Sequence, residues 1–140
     1  MYVLSIVIIV LSNILYNVCQ KSTPETANPF VALLFTYLTA LILTAAAFFV
    51  NSPDKTFLQS VKELNWTSLA LGISIVGLEF GYLMAYRSGW NISIGSLVAN
   101  ILLAVMLIPV GIIFYKEGFV FNKLLGVIFC QIGLVLINKS

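Results

Sequence analysis

The stretch FVALLFTYLTALILTAAAFFV, Phe30 to Val50, contains no charged residue and decides the fold. A helix needs about 20 consecutive apolar residues to cross the hydrocarbon core of a bilayer, and this run supplies them. Asn51, Ser52, Pro53 and Asp54 end it. Before it lies a short loop in which Lys21, Ser22, Thr23, Pro24, Glu25 and Pro29 bring charge and helix breakers. The composition agrees, since 61% of the 140 residues are hydrophobic and 9% charged, with a mean hydropathy of +1.07. A water-soluble chain this short needs a polar shell around one core, and this chain has too little polar surface to make one. The expected class is an all-α integral membrane protein whose solvent is lipid.

Four more apolar segments lie around that stretch. The first runs from about Tyr2 to Cys19; it has no basic leader and no small-residue cleavage site, so it is expected to be a retained helix. After Asp54, Phe57, Leu58, Val61 and Leu64 recur at helical spacing with Lys55, Lys62 and Glu63 between them, the pattern of a short interfacial helix. The next segment, about Trp66 to Tyr86, carries small hydroxyls and one acid, Glu79. A tight break at Arg87, Ser88 and Gly89 leads to about Trp90 to Tyr115, with Pro109 expected to bend that helix near its end. Lys116, Glu117 and Gly118 close it, and about Phe119 to Asn138 completes a single domain of five expected transmembrane helices over residues 1–140, with no tail expected.

Charge and composition narrow the function classes. The net charge is +2 without a Lys/Arg cluster, so neither nucleic acid nor a polybasic lipid patch is indicated. The chain has no histidine, which removes His-based triads and His-containing zinc sites. Cys19 and Cys130 sit inside apolar segments and read as small buried hydrophobes rather than a disulfide or metal ligands. No enzyme activity, metal or cofactor is expected. Counting Lys and Arg by alternate loops gives Lys55, Lys62, Lys116 and Lys123 on one side against Lys21, Arg87 and Lys139 on the other. Four against three barely biases orientation, and an odd number of spans puts the termini on opposite sides, so two oppositely inserted copies would form an antiparallel pair.

The polar residues inside the apolar segments are the candidate site. An ionised carboxylate in hydrocarbon survives only facing an interior, a cavity or a partner, so Glu79 reads either as a site for a cationic substrate or proton, or as a structural ion pair with Arg87. On a helix, Gly72, Val76, Leu83 and Tyr86 share its face, whereas Gly77 and Gly81 lie nearly opposite, where their spacing would admit a neighbouring helix. Ser93, Ser96 and Asn100 form one stripe that either lines a pathway or hydrogen-bonds between helices. Ser12, Asn13, Tyr16, Asn17, Gln20 and Gln131 are expected to face protein as helix-packing groups. Trp66, Trp90 and Tyr115 fall at helix ends as headgroup-level anchors, and Trp90, beside the Arg87 turn, has a possible role at the site.

The segment AYRSGWNISIGSLVANILLAVMLIPVGIIFYKEGFVFNKLLGVIFCQIGLVLIN, Ala85 to Asn138, resembles the fourth and fifth helices of an EamA-type repeat of the drug/metabolite transporter superfamily. Glu117 matches the acid that closes helix four in that family, and Gly126 and Gly133 match glycines of its last helix. Lys21 and Pro29 look like the first loop's usual lysine and the proline after it. The resemblance spans essentially the whole chain. It implies a ten-helix unit of two inverted five-helix halves moving substrate by alternating access, of which this chain supplies one half. The small multidrug resistance family resembles the same plan but uses an acid in its first helix, where this chain has none.

The resulting expectation is a small secondary transporter in a bacterial inner (plasma) membrane. It would move a small organic metabolite or cation as an antiparallel homodimer, or as a heterodimer with another single repeat. Glu79 would handle proton or cation, Tyr86, Ser96 and Asn100 would line the path, and Lys116 with Glu117 would stabilise a helix end. The rival class is a non-transporting subunit of a membrane complex or lipid flippase, marked by obligate co-purification with a different membrane protein. An enzyme acting on lipid is the weakest class, because no nucleophile-and-base pair is visible.

Overall fold

A computed structural model describes the chain apart from Ser52, Pro53, Lys55, Phe119 and Ser140, and apart from the side chain of Asn138. Six helices follow in order: α1 (Tyr2–Ser22), α2 (Pro29–Val50), α3 (Phe57–Lys62), α4 (Trp66–Arg87), α5 (Ile92–Phe114) and α6 (Phe121–Lys139). Among the described residues there is no strand. Four of the helices, α1, α2, α4 and α5, are long and apolar enough to cross a membrane, whereas the apolar part of α6, Phe121–Ile137, is shorter. Among the described residues four such helices are present where five were expected, α6 being the shorter one. The breakers Ser52 and Pro53, the loop residue Lys55 and the expected start at Phe119 lie outside the described residues.

Capping chemistry sets the boundaries. The Asn28 side chain accepts from the amides of Phe30 and Val31 at 3.0 and 3.4 Å, and Pro29 occupies the first turn, where its missing N–H costs nothing. Asn65 caps α4 by accepting from the Thr67 amide at 3.0 Å. That helix ends where Ser88 bonds the Met84 carbonyl through both its amide and its hydroxyl, and Gly89 turns the chain with φ of +96°. The next helix therefore starts at Ile92 and not at Trp90, with Asn91 at the N-cap position making no side-chain bond. The expected short helix before α4 is present as α3, with Thr56 and Gln59 forming a capping box.

The hydroxyls show how these helices suit lipid. Thr36, Thr39 and Thr44 of α2 each donate to the carbonyl four residues earlier at 2.7–2.9 Å, and Ser74 of α4 does the same to Ala70 at 2.8 Å. Each polar group is satisfied on its own helix and needs no water. The apolar side chains point outward in turn, with Leu41 66% and Ile73 76% exposed, a surface that water would not tolerate.

The chain forms two compact units, 18–88, and 1–17 with 89–140. In the first, α2 packs on α4 with the start of α2 beside the end of α4. Leu33, Leu83 and Tyr86 are its buried residues, and Phe30 stacks on Phe80 with centroids 5.5 Å apart. Phe57 of α3 meets Phe48 edge-on at 5.9 Å. In the second unit α5 packs on α6. The amides of Tyr115 and Glu117 both bond the Gly111 carbonyl, at 3.2 and 3.1 Å, across a left-handed Lys116 with φ of +51°.

Several expected surroundings differ. Cys19 and Cys130 are free and exposed, not buried, because an apolar side chain on a lipid-suited helix needs no protein neighbour. Ser12, Asn13 and Gln131 are exposed rather than facing protein, while Tyr16 and Gln20 are half-buried. Asn17 is buried and donates to Asn13, to its carbonyl at 2.8 Å and its side-chain oxygen at 2.6 Å, so this pair bonds within its own helix.

Candidate functional site

Glu79 lies thirteen residues into α4, about 20 Å along the axis from the Trp66 end and about 12 Å from the Arg87 end at 1.5 Å per residue. It is half-buried, and its Oε2 is cut off from solvent with no hydrogen-bond partner. The side chains that share its face toward the helix end, Leu83 and Tyr86, are 1% and 3% exposed, so this face packs as the spacing predicts. Gly72 and Val76, on the same face one and two turns earlier, remain exposed.

Arg87 does not pair with Glu79. Its Nη2 donates to the carbonyls of Pro24 at 3.1 Å and Ala27 at 2.8 Å, fastening the α1–α2 loop to the end of α4. The reason is distance: eight residues of helix separate the two groups, more than an arginine side chain covers. Lys21 makes a second tie, donating to the Tyr86 carbonyl at 3.3 Å with its Nζ 5.9 Å from the centre of the Tyr86 ring. A cation at a helix C-terminus bonding a carbonyl that has lost its helical partner is a favourable arrangement. Tyr86 is thus enclosed by the tie and by Tyr82, whose ring lies 5.9 Å away.

The residue that reading from sequence missed is Tyr37 of α2. Its hydroxyl is buried and without a hydrogen-bond partner, as is Glu79 Oε2, and the Glu79 charge reaches it electrostatically. A tyrosine seven residues into an otherwise uncharged span was the available signal, because a buried phenol ordinarily finds a partner.

The remaining candidates are arranged differently. Gly77 and Gly81 have open space where a side chain would stand, with no described residue within 4 Å of it. Trp90, Ser96 and Asn100 belong to the other unit. Asn100 donates to the Ser96 carbonyl at 2.8 Å and hydroxyl at 3.3 Å, so these two residues bond along their own helix. Trp90 is 42% exposed. Glu117 folds back over α5, its carboxylate 2.6 Å from where a Gly111 side chain would begin, which makes it a helix-end group. Among the described residues no cluster of three His, Cys, Asp or Glu could hold a metal.

No family model matches the chain, and neither a curated protein nor a solved structure matches it. What the geometry defines is a helical protein with the lengths and apolarity of a membrane protein, in which one acid is held against a packed helix pair without a donor.

Proposed function

We propose that this chain is a small secondary transporter that moves a small organic metabolite or cation across a membrane, with Glu79 as the group that binds cation or proton. The observation that carries the reading is the Glu79 carboxylate, half-buried in an apolar helix and partnered by neither Arg87 nor Tyr37. Insertion scales put a charge at a helix centre at about 2.5–3.5 kcal/mol, a cost that a purely structural acid would offset with a bonded partner.

The resemblance to one EamA-type repeat supports a dimeric unit of two oppositely inserted copies, and in that arrangement α6 makes a fifth crossing. Its apolar part, Phe121–Ile137, spans about 26 Å at 1.5 Å per residue, close to the hydrocarbon thickness of a thin bilayer. The open Gly77 and Gly81 face equally favours a second reading, in which the chain is a non-transporting subunit packed against another membrane protein.

Glu79→Gln tests the first reading. In proteoliposomes carrying an imposed pH gradient, the variant is expected to lose gradient-driven uptake of organic cations while keeping the helical circular dichroism of the wild type. Coupled uptake at the wild-type rate refutes it. A wild-type chain that purifies only with a different membrane protein and transports nothing alone favours the subunit reading.

A further inference from the structure

Tyr37 and Glu79 present two oxygens that share one deficiency. Both are buried, both lack a hydrogen bond, and they stand on helices that pack together. They are within electrostatic reach of each other and yet do not bond to each other. The Tyr37 O–H does not donate to the Glu79 carboxylate, so a ligand carrying several N–H donors would satisfy the Glu79 oxygen and the Tyr37 oxygen together. Tyr37 also lines an open apolar groove along α2 with Leu34, Phe35, Leu38 and Leu41.

We infer that Tyr37 is the second recognition group of the Glu79 site, and that the pair selects organic ammonium ions bearing N–H donors and an apolar substituent. This rests on the reading of Glu79 as a cation site and adds its substrate class. A primary ammonium has three donors, enough for the carboxylate and the phenol oxygen together, while its hydrocarbon part lies along the α2 groove. A quaternary ammonium brings the same charge without a donor and leaves the Tyr37 oxygen unsatisfied, which costs it affinity.

The test is equilibrium binding of radiolabelled phenethylamine and of its N,N,N-trimethyl derivative to the full chain in lipid nanodiscs at pH 7. Protein-free nanodiscs correct for partitioning into lipid. The wild type is expected to bind the primary amine about tenfold more tightly than the quaternary one, the value of one hydrogen bond to a charged group. Tyr37→Phe, which removes an oxygen that bonds nothing in the fold, is expected to reduce that ratio severalfold by weakening the primary amine alone, leaving only the part due to donation to Glu79. Glu79→Gln is expected to lose both ligands. A ratio unchanged in Tyr37→Phe, or a wild type that favours the quaternary ion, overturns the role of Tyr37 while the loss in Glu79→Gln leaves the Glu79 reading standing. A wild type that binds neither ion overturns both.

Discussion

Arg87→Gln should loosen the α1–α2 loop without disturbing Glu79, and the size of the effect follows from two bonds. Nη2 donates to the Pro24 carbonyl at 3.1 Å and the Ala27 carbonyl at 2.8 Å, residues 63 and 60 positions earlier in the chain. A hydrogen bond to a charged group contributes about 1.5–3 kcal/mol when its partners lose water. Here one nitrogen serves both carbonyls and the Pro24 contact is exposed, so about 1–2 kcal/mol in total is expected. Arg87→Lys should recover about half, because an ammonium keeps the charge but not the planar donor fork. The assay is reversible unfolding in mixed detergent micelles followed by far-UV circular dichroism, run on Arg87→Gln, Glu79→Gln and the double variant. If Arg87 serves the loop alone, the coupling between the two sites stays below about 0.5 kcal/mol, as for independent positions. A coupling above about 1 kcal/mol would show that the acid and the guanidinium act as a pair, and the assignment of Arg87 as a loop tie would be wrong.

Two further outcomes follow from packing. Leu83→Ala at a position 1% exposed should cost about 1–2 kcal/mol in the same assay, below the 2–5 of water-soluble cores, because the leucine leaves for hydrocarbon rather than water and only the cavity remains. Leu41→Ala, 66% exposed, should change stability by less than about 0.5 kcal/mol, and an equal loss at both positions would refute the α2–α4 core. Gly111→Ala should be near neutral, since the new methyl starts 2.6 Å from Glu117 Oε2 and displaces it, offsetting the gain of about 1 kcal/mol in helix propensity. Placed in a Glu117→Ala background the same change should stabilise by about 0.5–1 kcal/mol, and no difference between backgrounds would mean the carboxylate does not cover Gly111.

The helices were legible because lipid makes their signal coarse. A run such as Phe30 to Val50 has one reading, and Asn28, Pro29, Ser88 and Gly89 mark ends that local chemistry alone enforces. Burial was not legible in the same way. In a water-soluble protein an apolar cysteine is inside; here apolarity suits lipid, so Cys19 and Cys130 lie exposed. Helical spacing identified the face of Glu79, Leu83 and Tyr86, because two of the three had to pack against something. The possible ion pair with Arg87 could have been rejected from sequence by arithmetic, since eight residues put the groups about 12 Å apart. Tyr37 could not be joined to Glu79 in that way, because only the packing of α2 on α4 brings two helices distant in the chain together.

The contrast between the hydroxyls and the acid explains why Glu79 demands a partner. Thr36, Thr39, Thr44 and Ser74 donate to the carbonyl one turn back and are complete on their own helix. A carboxylate has no such resource, because a helix interior offers it only acceptors; its donor must come from outside α4. Arg87 is committed to the loop carbonyls and Lys21 to the Tyr86 carbonyl, and the Tyr37 hydroxyl does not bond it. Three sources remain: a proton, a ligand N–H, or a group on another chain. They separate cleanly. A proton leaves Glu79→Gln isosteric and stable but uncoupled, a ligand makes the primary over quaternary preference depend on Tyr37, and a partner chain makes Glu79→Gln weaken association while uptake and ligand affinity stay unchanged.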